Sequence, residues 1–565
     1  MTSTLKRASA LALFFCLLSL ALPSSAQVRI TGNGPQRCLS VNGRQMLMLA
    51  GELSNSAATC KSDIDSVLPR MSRLGLNTVL VPAQWDLTEP EEGKYDFSLI
   101  DETINVARQN NLKIVFLWFG AWKNSMSCYA PLWFKADTKR FPRAMTTAGK
   151  PLEIASAFSE NILNADKKVF TALLRHIAAV DGDEHTVVMI QVENEIGMLE
   201  SARDHSPLAE KAYKSCEWRK VVGSLNIPSG DVLAEDEAFQ AYYYAKYVEQ
   251  LAVAGKKILD IPFYVNAAMN SRGRKPGEYP SAGPLAHLFP VWKKVAPHID
   301  LCAPDIYDTG FKSWAAKYAT KDNVLFIPES RCCENSGVRA LYTFGEHHAI
   351  GFGPFAIDEA PASQTGCVSA AYGLMRQLSN LLLNGNSNGK HHEAQGKEMK
   401  SWGVLFSQED KERVIEDGNT VLTCRHNFTL PWDPRATNGQ TWQEGGAYIL
   451  RLAPNDYIIA GSGVVVVFQT KTEKEQAENV KTGEDGFAIA GQKNASSSDT
   501  RSGFKGNRLG IGFVDEININ ANGEMKYVRR ENGDQDHQGR HARISVGDYK
   551  ILHVKLYQLK FPTCK

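Results

Sequence analysis

The sequence predicts an α/β protein, in which a (β/α)₈ barrel is followed by a C-terminal β-sandwich-like domain. Two patterns carry this prediction: apolar runs alternate with helix-like segments up to about residue 383, and short alternating strands follow. Apolar runs bounded by turn residues are typical of strands buried on both faces of a parallel sheet. Eight such runs are found, at 46–50, 77–81, 113–119, 187–192, 262–266, 301–304, 324–328 and 349–355.

Amphipathic segments between these runs supply the helices of the predicted TIM barrel. They lie at about 63–74, 99–109, 165–180, 235–254 and 368–383, and Gly75 closes the first of them. Ahead of the barrel, residues 28–46 are rich in β-forming residues. Asn42-Gly43 within them predicts a tight hairpin turn.

The polar, turn-rich stretch 383–390 marks the end of the barrel. We therefore divide the chain into residues 1–26, a barrel domain at 27–385 and a β-rich domain at 386–565. Strands of the last are expected at 447–452, 457–460, 464–469, 508–514 and 551–556. The charged, Ser- and Gly-rich stretch 471–506 is expected to be an exposed insertion. Polysaccharide binding and support of the barrel remain equal alternatives for this domain.

The first 26 residues predict a cleavable signal peptide and hence a secreted or periplasmic protein. Lys6 and Arg7 precede an apolar run at 8–22, and small residues at 24–26 offer a cleavage site. A membrane anchor is the alternative, but the run is shorter than the roughly 20 residues of a spanning helix. The formal net charge of +1 over 565 residues gives no electrostatic reason to expect nucleic acid or an anionic membrane as partner.

Cysteine and histidine patterns predict neither a metal site nor a cofactor. The eleven cysteines form no CxxC pair, although some of them can pair in an oxidising compartment. The histidine pairs 347–348 and 391–392 are adjacent in sequence, so their side chains point apart. The sequence gives neither the disulfide pairing nor the oligomeric state.

Two glutamates at the ends of apolar runs predict the chemistry. Glu195 follows the run 187–192, which is the fourth strand, and Glu329 ends the run 324–328, which is the seventh. The C-terminal ends of barrel strands form the rim that carries active sites. Hydrolysis of a glycosidic bond needs two carboxyl groups, one as acid/base and one as nucleophile. The alternative is that each acid caps the helix that follows it.

Three segments resemble glycoside hydrolase family 35, the β-galactosidases. They are Leu-Ala-Gly-Glu-Leu at 49–53, Glu-Pro-Glu-Glu-Gly-Lys-Tyr-Asp-Phe at 89–97 and Gln-Val-Glu-Asn-Glu-Ile-Gly at 191–197. The resemblance covers roughly residues 38–360 and is strongest to a bacterial branch close to family 42 that carries a C-terminal β-domain.

This resemblance implies that Glu195 is the acid/base, that Glu329 is the nucleophile and that Asn194 binds the sugar. It also implies a metal-independent, retaining, exo-acting β-galactosidase. The expected substrates are galactosides, such as the galactose-bearing side chains of plant cell-wall xyloglucan.

Three further residues are candidates for substrate binding. Tyr307 follows the sixth strand, where its hydroxyl can hydrogen-bond the nucleophile, or it is a buried tyrosine with another partner. Trp85 can stack on the galactosyl ring or pack in the core. Glu52 can bind a sugar hydroxyl or pair with an arginine inside the protein.

Two departures from the family pattern leave the sugar open. Ser54-Asn55-Ser56 replaces a usual His-Tyr pair, and Ala121 stands where the family commonly carries a glutamate. Another retaining β-glycosidase of the same barrel clan is therefore an alternative. A carbohydrate-binding protein without catalysis is a third, which the two intact carboxyl groups disfavour.

Overall fold

A computed structural model describes residues 28–32, 37–225, 232–271, 273–383, 400–430, 441–477, 507–531 and 541–560. The signal peptide expected at 1–26 lies outside these residues. So do most of the boundary stretch expected at 383–390 and most of the insertion expected at 471–506.

A small antiparallel sheet precedes the barrel. Its strands are Val28–Thr31, Cys38–Val41 and Arg44–Met46. Asn42 and Gly43 join the last two with φ of 52° and 75°, the left-handed pair that a two-residue hairpin turn requires. The predicted β-rich segment and its turn are confirmed.

Eight parallel strands close into a barrel, which confirms the predicted fold class. In chain order they are β1 Met48–Glu52, β2 Thr78–Gln84, β3 Lys113–Phe119, β4 Val187–Gln191, β5 Phe263–Ala268, β6 Leu301–Ile306, β7 Phe326–Ser330 and β8 Gly351–Pro354. Each strand pairs with its neighbours in sequence, and the pairing of β8 with β1 closes the ring. Nearly every residue of these strands is buried, as the continuous apolar runs predict.

Helices surround the barrel, and each predicted helical segment overlaps one of them. The α-helices described in this part of the chain are Lys61–Arg73, Trp85–Thr88, Ser98–Gln109, Leu132–Ala136, Glu160–Asp181, Pro207–Tyr213, Glu217–Val222, Val232–Lys256, Phe289–Val295, Phe311–Tyr318, Ser336–His347 and Ala362–Leu383. A 3₁₀ turn spans Ala286–Leu288. The long loop after β3 contains a further hairpin, whose strands are Arg143–Met145 and Pro151–Ala155.

Two antiparallel sheets make up the described part of the C-terminal region. One has six strands in the order Lys400–Phe406, Gly445–Ala453, Asp456–Ser462, Lys550–Leu559, Arg508–Ile519 and Met525–Arg530. The other has four, in the order Glu412–Asp417, Thr420–His426, Val464–Thr470 and Ala542–Ile544. Asn427–Thr429 forms a 3₁₀ turn, and Lys471–Ala477 forms a helix.

An apolar core lies between these two sheets, as in the predicted sandwich-like domain. Phe406 and Ile449 come from the first sheet, and Leu422, Val466 and Phe468 come from the second. The five strands predicted here are all observed. Five more are observed beyond them, including Met525–Arg530, whose mostly exposed, charged side chains give little strand signal.

The helix Ser336–His347 joins the barrel to the C-terminal sheets. A Cβ added to Gly345 would lie 2.7 Å from the carbonyl oxygen of Trp402, so the helix backbone contacts the sheet directly. The guanidinium of Arg339 donates from two nitrogens to the Glu444 carboxylate at 2.7 and 2.8 Å. The two parts of the chain are therefore packed together at this helix.

Within the described ranges, no helix has both the length and the apolar character needed to cross a bilayer. The nine cysteines in those same ranges are all unpaired.

Candidate active site

Three buried carboxyl groups meet at the C-terminal rim of the barrel. Glu329 lies within β7, and Glu195 follows β4 by four residues. The third is Asp305 near the end of β6. Carboxylate oxygens of these three residues all lie within 4.8 Å of one another. The two glutamates singled out in the sequence are thus brought together, with an aspartate beside them.

Glu195 lies in a tight turn whose backbone is held at several points. Its φ is 45°, in the left-handed region that costs energy for a non-glycine residue. Its backbone N–H donates to Asn266 Oδ1 at 2.9 Å, and its carbonyl oxygen accepts from the Ser125 N–H at 3.1 Å. The next helix begins only at Pro207, so Glu195 does not cap a helix.

The carboxyl group of Glu195 has the protonation behaviour of an acid/base catalyst. Burial and the negative charge of Glu329 raise the pKa of Glu195 to about 7. The positive charge of Lys123 and the side-chain amide of Asn124, which donates to Glu195 Oε2, act in the opposite direction. The group can therefore hold a proton near neutral pH and also release it.

The carboxylate of Glu329 is oriented by a tyrosine. The Tyr307 hydroxyl donates to Glu329 Oε1 from the loop that follows β6. The second oxygen, Oε2, is buried and accepts no hydrogen bond from an N–H or a hydroxyl in the described part of the chain. One oxygen is thus fixed while the other is left for a reacting atom.

Asp305 was not predicted, although it belongs to the same cluster. Asn266 Nδ2 donates to Asp305 Oδ2 at 2.7 Å, and Asp305 pairs in register with Glu329. Burial, followed by the charges of Glu329 and Glu195, raises the pKa of Asp305 well above its usual value. The rule that found the two glutamates, an acid at the end of an apolar strand, also applies to this residue.

Glu52 adds a fourth buried carboxyl group at the end of β1. Neither of its oxygens accepts a hydrogen bond from an N–H or a hydroxyl among the described residues, and its carboxyl group lies against that of Glu329. Burial, and next the charge of Glu329, raise its pKa well above the usual value, while Lys123 opposes the shift. Within the described residues Glu52 forms no ion pair with an arginine, and the sugar-binding role stays a prediction.

Asn194 and two neighbours supply further polar atoms at this rim. The Asn194 amide is fully buried, and neither its oxygen nor its nitrogen has a partner in the described part of the chain. The same holds for the amide of Gln191 and the hydroxyl of Tyr264. Buried polar atoms are normally hydrogen-bonded, so such a concentration indicates a site for a ligand rich in hydroxyl groups.

Trp85 lies in an aromatic cluster, and its contacts are with that cluster rather than with Glu195 or Glu329. Its ring is fully buried, and its Nε1–H donates to Glu89 Oε2 at 2.9 Å. The ring centroid lies 4.9 Å from that of Phe134 and 5.9 Å from that of Trp133. These contacts favour the packing interpretation of Trp85.

A second carboxyl pair lies beneath the turn that carries Glu195. Glu193 Oε2 accepts from the Trp122 N–H at 2.8 Å, and Glu193 is hydrogen-bonded to Asp166. Asp166 also accepts from Trp118 Nε1 at 2.9 Å and from the Tyr247 hydroxyl at 2.7 Å. Burial raises the pKa of both carboxyl groups, so this pair can share a proton and hold the turn.

Residues 57–222 match the glycoside hydrolase family 42 model, described as beta-galactosidase. The matched part of the chain is thus similar to glycoside hydrolases of that family. Glu195 lies inside this match, whereas Glu329 does not. The model is that of family 42, the neighbour of the family 35 that the motifs resemble. Residues 368–543 match a domain of unknown function, DUF5597, which begins within the last barrel helix.

Two solved structures are similar to the chain. A beta-galactosidase from the psychrophilic Marinomonas ef1 is 12% identical, with a TM-score of 0.43, over 58% of this chain and 60% of that one. A polyextremophilic beta-galactosidase from the Antarctic haloarchaeon Halorubrum lacusprofundi is 14% identical, with a TM-score of 0.41, over 59% and 58%. The chain therefore spans less than two thirds of either protein. No curated protein matches it significantly.

Proposed function

We propose that this protein is a retaining, exo-acting β-galactosidase that works by double displacement. Glu329 attacks the anomeric carbon of a terminal β-D-galactosyl residue while Glu195 gives its proton to the departing oxygen. Glu195 then deprotonates a water molecule, which cleaves the galactosyl–Glu329 ester and restores the β configuration. Glu329 is released as a carboxylate, and Glu195 ends the cycle protonated.

The spacing of the two carboxyl groups is the observation that carries this proposal. Oxygens of Glu195 and Glu329 lie within 4.8 Å of each other. Retaining enzymes hold their carboxyl groups about 5 to 5.5 Å apart, whereas inverting enzymes need roughly 6.5 to 9.5 Å to admit a water molecule. The close spacing therefore supports direct attack by Glu329.

The different surroundings of the two groups support their separate roles. Glu195 has a pKa of about 7 and can arrive protonated, as an acid must. Glu329 accepts a hydrogen bond from Tyr307, which fixes the orientation of the attacking carboxylate. Asn194 and Glu52, with polar atoms that no protein group satisfies, are proposed to bind the hydroxyl groups of the sugar.

Galactose is supported by the description of the matched family model and by the family 35 motifs. We propose galactose-bearing cell-wall oligosaccharides, such as xyloglucan side chains, as the natural substrates, because the resemblance implies them. The N-terminal pattern of Lys6, Arg7 and the apolar run 8–22 supports export to the periplasm or the medium.

The second candidate is another retaining β-glycosidase of this barrel clan. Its support is the changed position after Glu52, where both the N–H and the hydroxyl of Ser54 bind the Asp358 carboxylate, at 2.8 and 3.0 Å. Both hydrogen-bond donors of Ser54 are therefore already used by a carboxylate of the protein. The residues around the sugar thus differ from the pattern that typical β-galactosidases share.

The test is hydrolysis of aryl β-galactoside, β-glucoside, β-mannoside and α-arabinoside, with the first product followed by proton NMR. We expect the highest kcat/KM for the galactoside and the β anomer as its first product. Preference for another glycoside would select the second candidate. Release of the α anomer would refute double displacement, and sugar binding without turnover would refute catalysis.

A further inference from the structure

A cavity of about 410 Å³ lies between the two loops that hold Glu195. Met126 lines it from the loop after β3, and Leu199 and Glu200 line it from the loop after β4. The hairpin 143–155 and Lys135 form the remaining wall. Its volume is within the range of small-molecule sites, and we call it the side cavity.

One tight turn links the wall of the side cavity to the acid/base. Lys123 and Met126 exchange two backbone hydrogen bonds, at 2.7 and 3.0 Å, in one tight turn. Asn124, inside that turn, donates to the Glu195 carboxylate. An acid/base must face the oxygen of the leaving group. The turn that contributes Met126 to the side cavity therefore also contributes a hydrogen bond to the acid/base.

Arg143 gives this cavity a buried positive charge. Its side chain is more than nine-tenths buried, Nη2 donates to the carbonyl oxygen of Lys135 at 3.1 Å, and Nη1 has no hydrogen-bond partner among the residues that the structure describes. Burial lowers the pKa of Arg143, and the charge of Glu153 opposes that shift only partly. A buried cation without an ion pair is costly, and an anion beside it would offset the cost.

The other charged groups of the cavity do not neutralise Arg143. Lys135 donates to the carbonyl oxygen of Cys128 at 2.9 Å and forms no ion pair within the described chain. Glu200 is already paired with Lys150 at 2.8 Å. Glu153 is exposed to solvent, so water screens its charge. The positive charges of Arg143 and Lys135 therefore dominate the cavity.

We propose that the side cavity is a leaving-group subsite for an anionic sugar, in which a carboxylate or sulfate binds between Arg143 and Lys135. The inference rests on the proposed function, because it supplies the sugar to which the galactosyl unit is attached. Uronic acids and sulfated sugars share this chemistry. Arginine and lysine form strong charge-assisted hydrogen bonds with both groups.

A matched set of four substrates tests the subsite. They are 4-nitrophenyl β-galactoside, lactose, the lactose analogue whose glucose is replaced by glucuronate, and lactose sulfated on glucose O6. We expect kcat/KM for an anionic disaccharide to exceed that for lactose by about tenfold or more, the size of one hydrogen bond to a charged group. Added salt should reduce this preference.

Two lysines give a matched pair of variants. Lys135→Gln removes a charge that lines the cavity, whereas Lys139→Gln removes one from an exposed residue of the same segment that does not line it. We expect the first to lower the anionic preference about tenfold and the second to leave it unchanged. Arg143→Gln should abolish the preference for anionic disaccharides. If Arg143→Gln does not fold, because the residue is buried, the result for Lys135→Gln alone tests the subsite.

The outcomes separate the two proposals. Normal aryl galactosidase activity with equal kcat/KM for lactose and both anionic disaccharides would overturn the subsite alone. So would an unchanged preference in Lys135→Gln. Absence of aryl galactosidase activity in the wild type would overturn the proposed function, and the subsite with it. A preference for only one anionic substrate would identify which anion the cavity binds.

Discussion

Asp305 and Glu329 lie side by side in register on the parallel strands β6 and β7. Asp305 is also joined to the acid/base through one amide. Asn266 donates to Asp305 at 2.7 Å and accepts the backbone N–H of Glu195 at 2.9 Å. The turn that carries Glu195 is thus fixed by the same side chain that holds the neighbour of Glu329.

This link predicts a graded effect of substitutions at position 305. Asp305→Ala leaves the Asn266 amide without its acceptor, which costs about 1 to 3 kcal/mol. We expect kcat on an aryl β-galactoside to fall at least about tenfold. Asp305→Asn retains a carbonyl acceptor, so its kcat should lie between those of Asp305→Ala and the wild type. If kcat falls equally in the folded Asp305→Ala and Asp305→Asn variants, the hydrogen bond from Asn266 to residue 305 does not support catalysis.

The pH dependence of kcat/KM should report the proton on Glu195. The group has a raised pKa of about 7, so it is protonated below that pH and loses the proton above it. Activity should therefore fall as the pH rises through about 7. Lys123 lowers this pKa, so Lys123→Met should move the alkaline limb to higher pH, while Lys139→Gln should not. If the alkaline limb of Lys123→Met moves to lower pH, that limb does not report the proton on Glu195.

Tyr307→Phe removes the hydrogen bond to Glu329 Oε1 without a large change in shape. A hydrogen bond to a charged group contributes about 1.5 to 3 kcal/mol, so kcat should fall roughly 10- to 100-fold. The melting temperature serves as the control for folding. An unchanged kcat in the folded variant would show that the hydrogen bond from Tyr307 to Glu329 does not contribute to catalysis.

Replacement of either proposed catalytic glutamate should sharply reduce turnover. We expect Glu329→Gln to give no measurable hydrolysis of an aryl β-galactoside, because no covalent intermediate can form. Glu195→Gln should lose about 10² to 10⁴-fold, the usual contribution of a general acid. Circular dichroism should show native secondary structure in both variants. Normal turnover in either one would refute its assigned role.

Trp85→Phe should affect stability rather than substrate binding. The indole is fully buried, and its N–H is bound to Glu89. We expect the free energy of unfolding to fall by about 1 to 3 kcal/mol, with KM for an aryl β-galactoside changed less than twofold. A large rise in KM at unchanged stability would restore the stacking role considered from the sequence.

Much of this fold could be predicted from the sequence, because strands buried on both faces leave continuous apolar runs. Asp305 shows where that approach fails. The sixth run was taken to end at Pro304, one residue before this aspartate. The strand in fact continues to Ile306. Asp305 is therefore a strand residue beside Glu329 and not part of a loop.

The packing of the Trp85 side chain could not be predicted, because it depends on residues distant in sequence. Its neighbours Trp133 and Phe134 come from the long loop after β3, and they cover the ring. Sequence patterns place a residue at the end of a strand, but they do not show how a later loop folds over it. The catalytic turn was easier to find because its motif is local.

The helix Ser336–His347 begins six residues after the β7 strand that carries Glu329, and its far side is covered by the C-terminal sheet. A gene shortened at the end of the barrel would remove Trp402 and Glu444, and so leave Gly345 and the guanidinium of Arg339 open to water. The two regions are thus expected to be inherited as one unit. The part of the chain that matches a domain of unknown function would then be a structural requirement of the enzyme rather than an optional attachment.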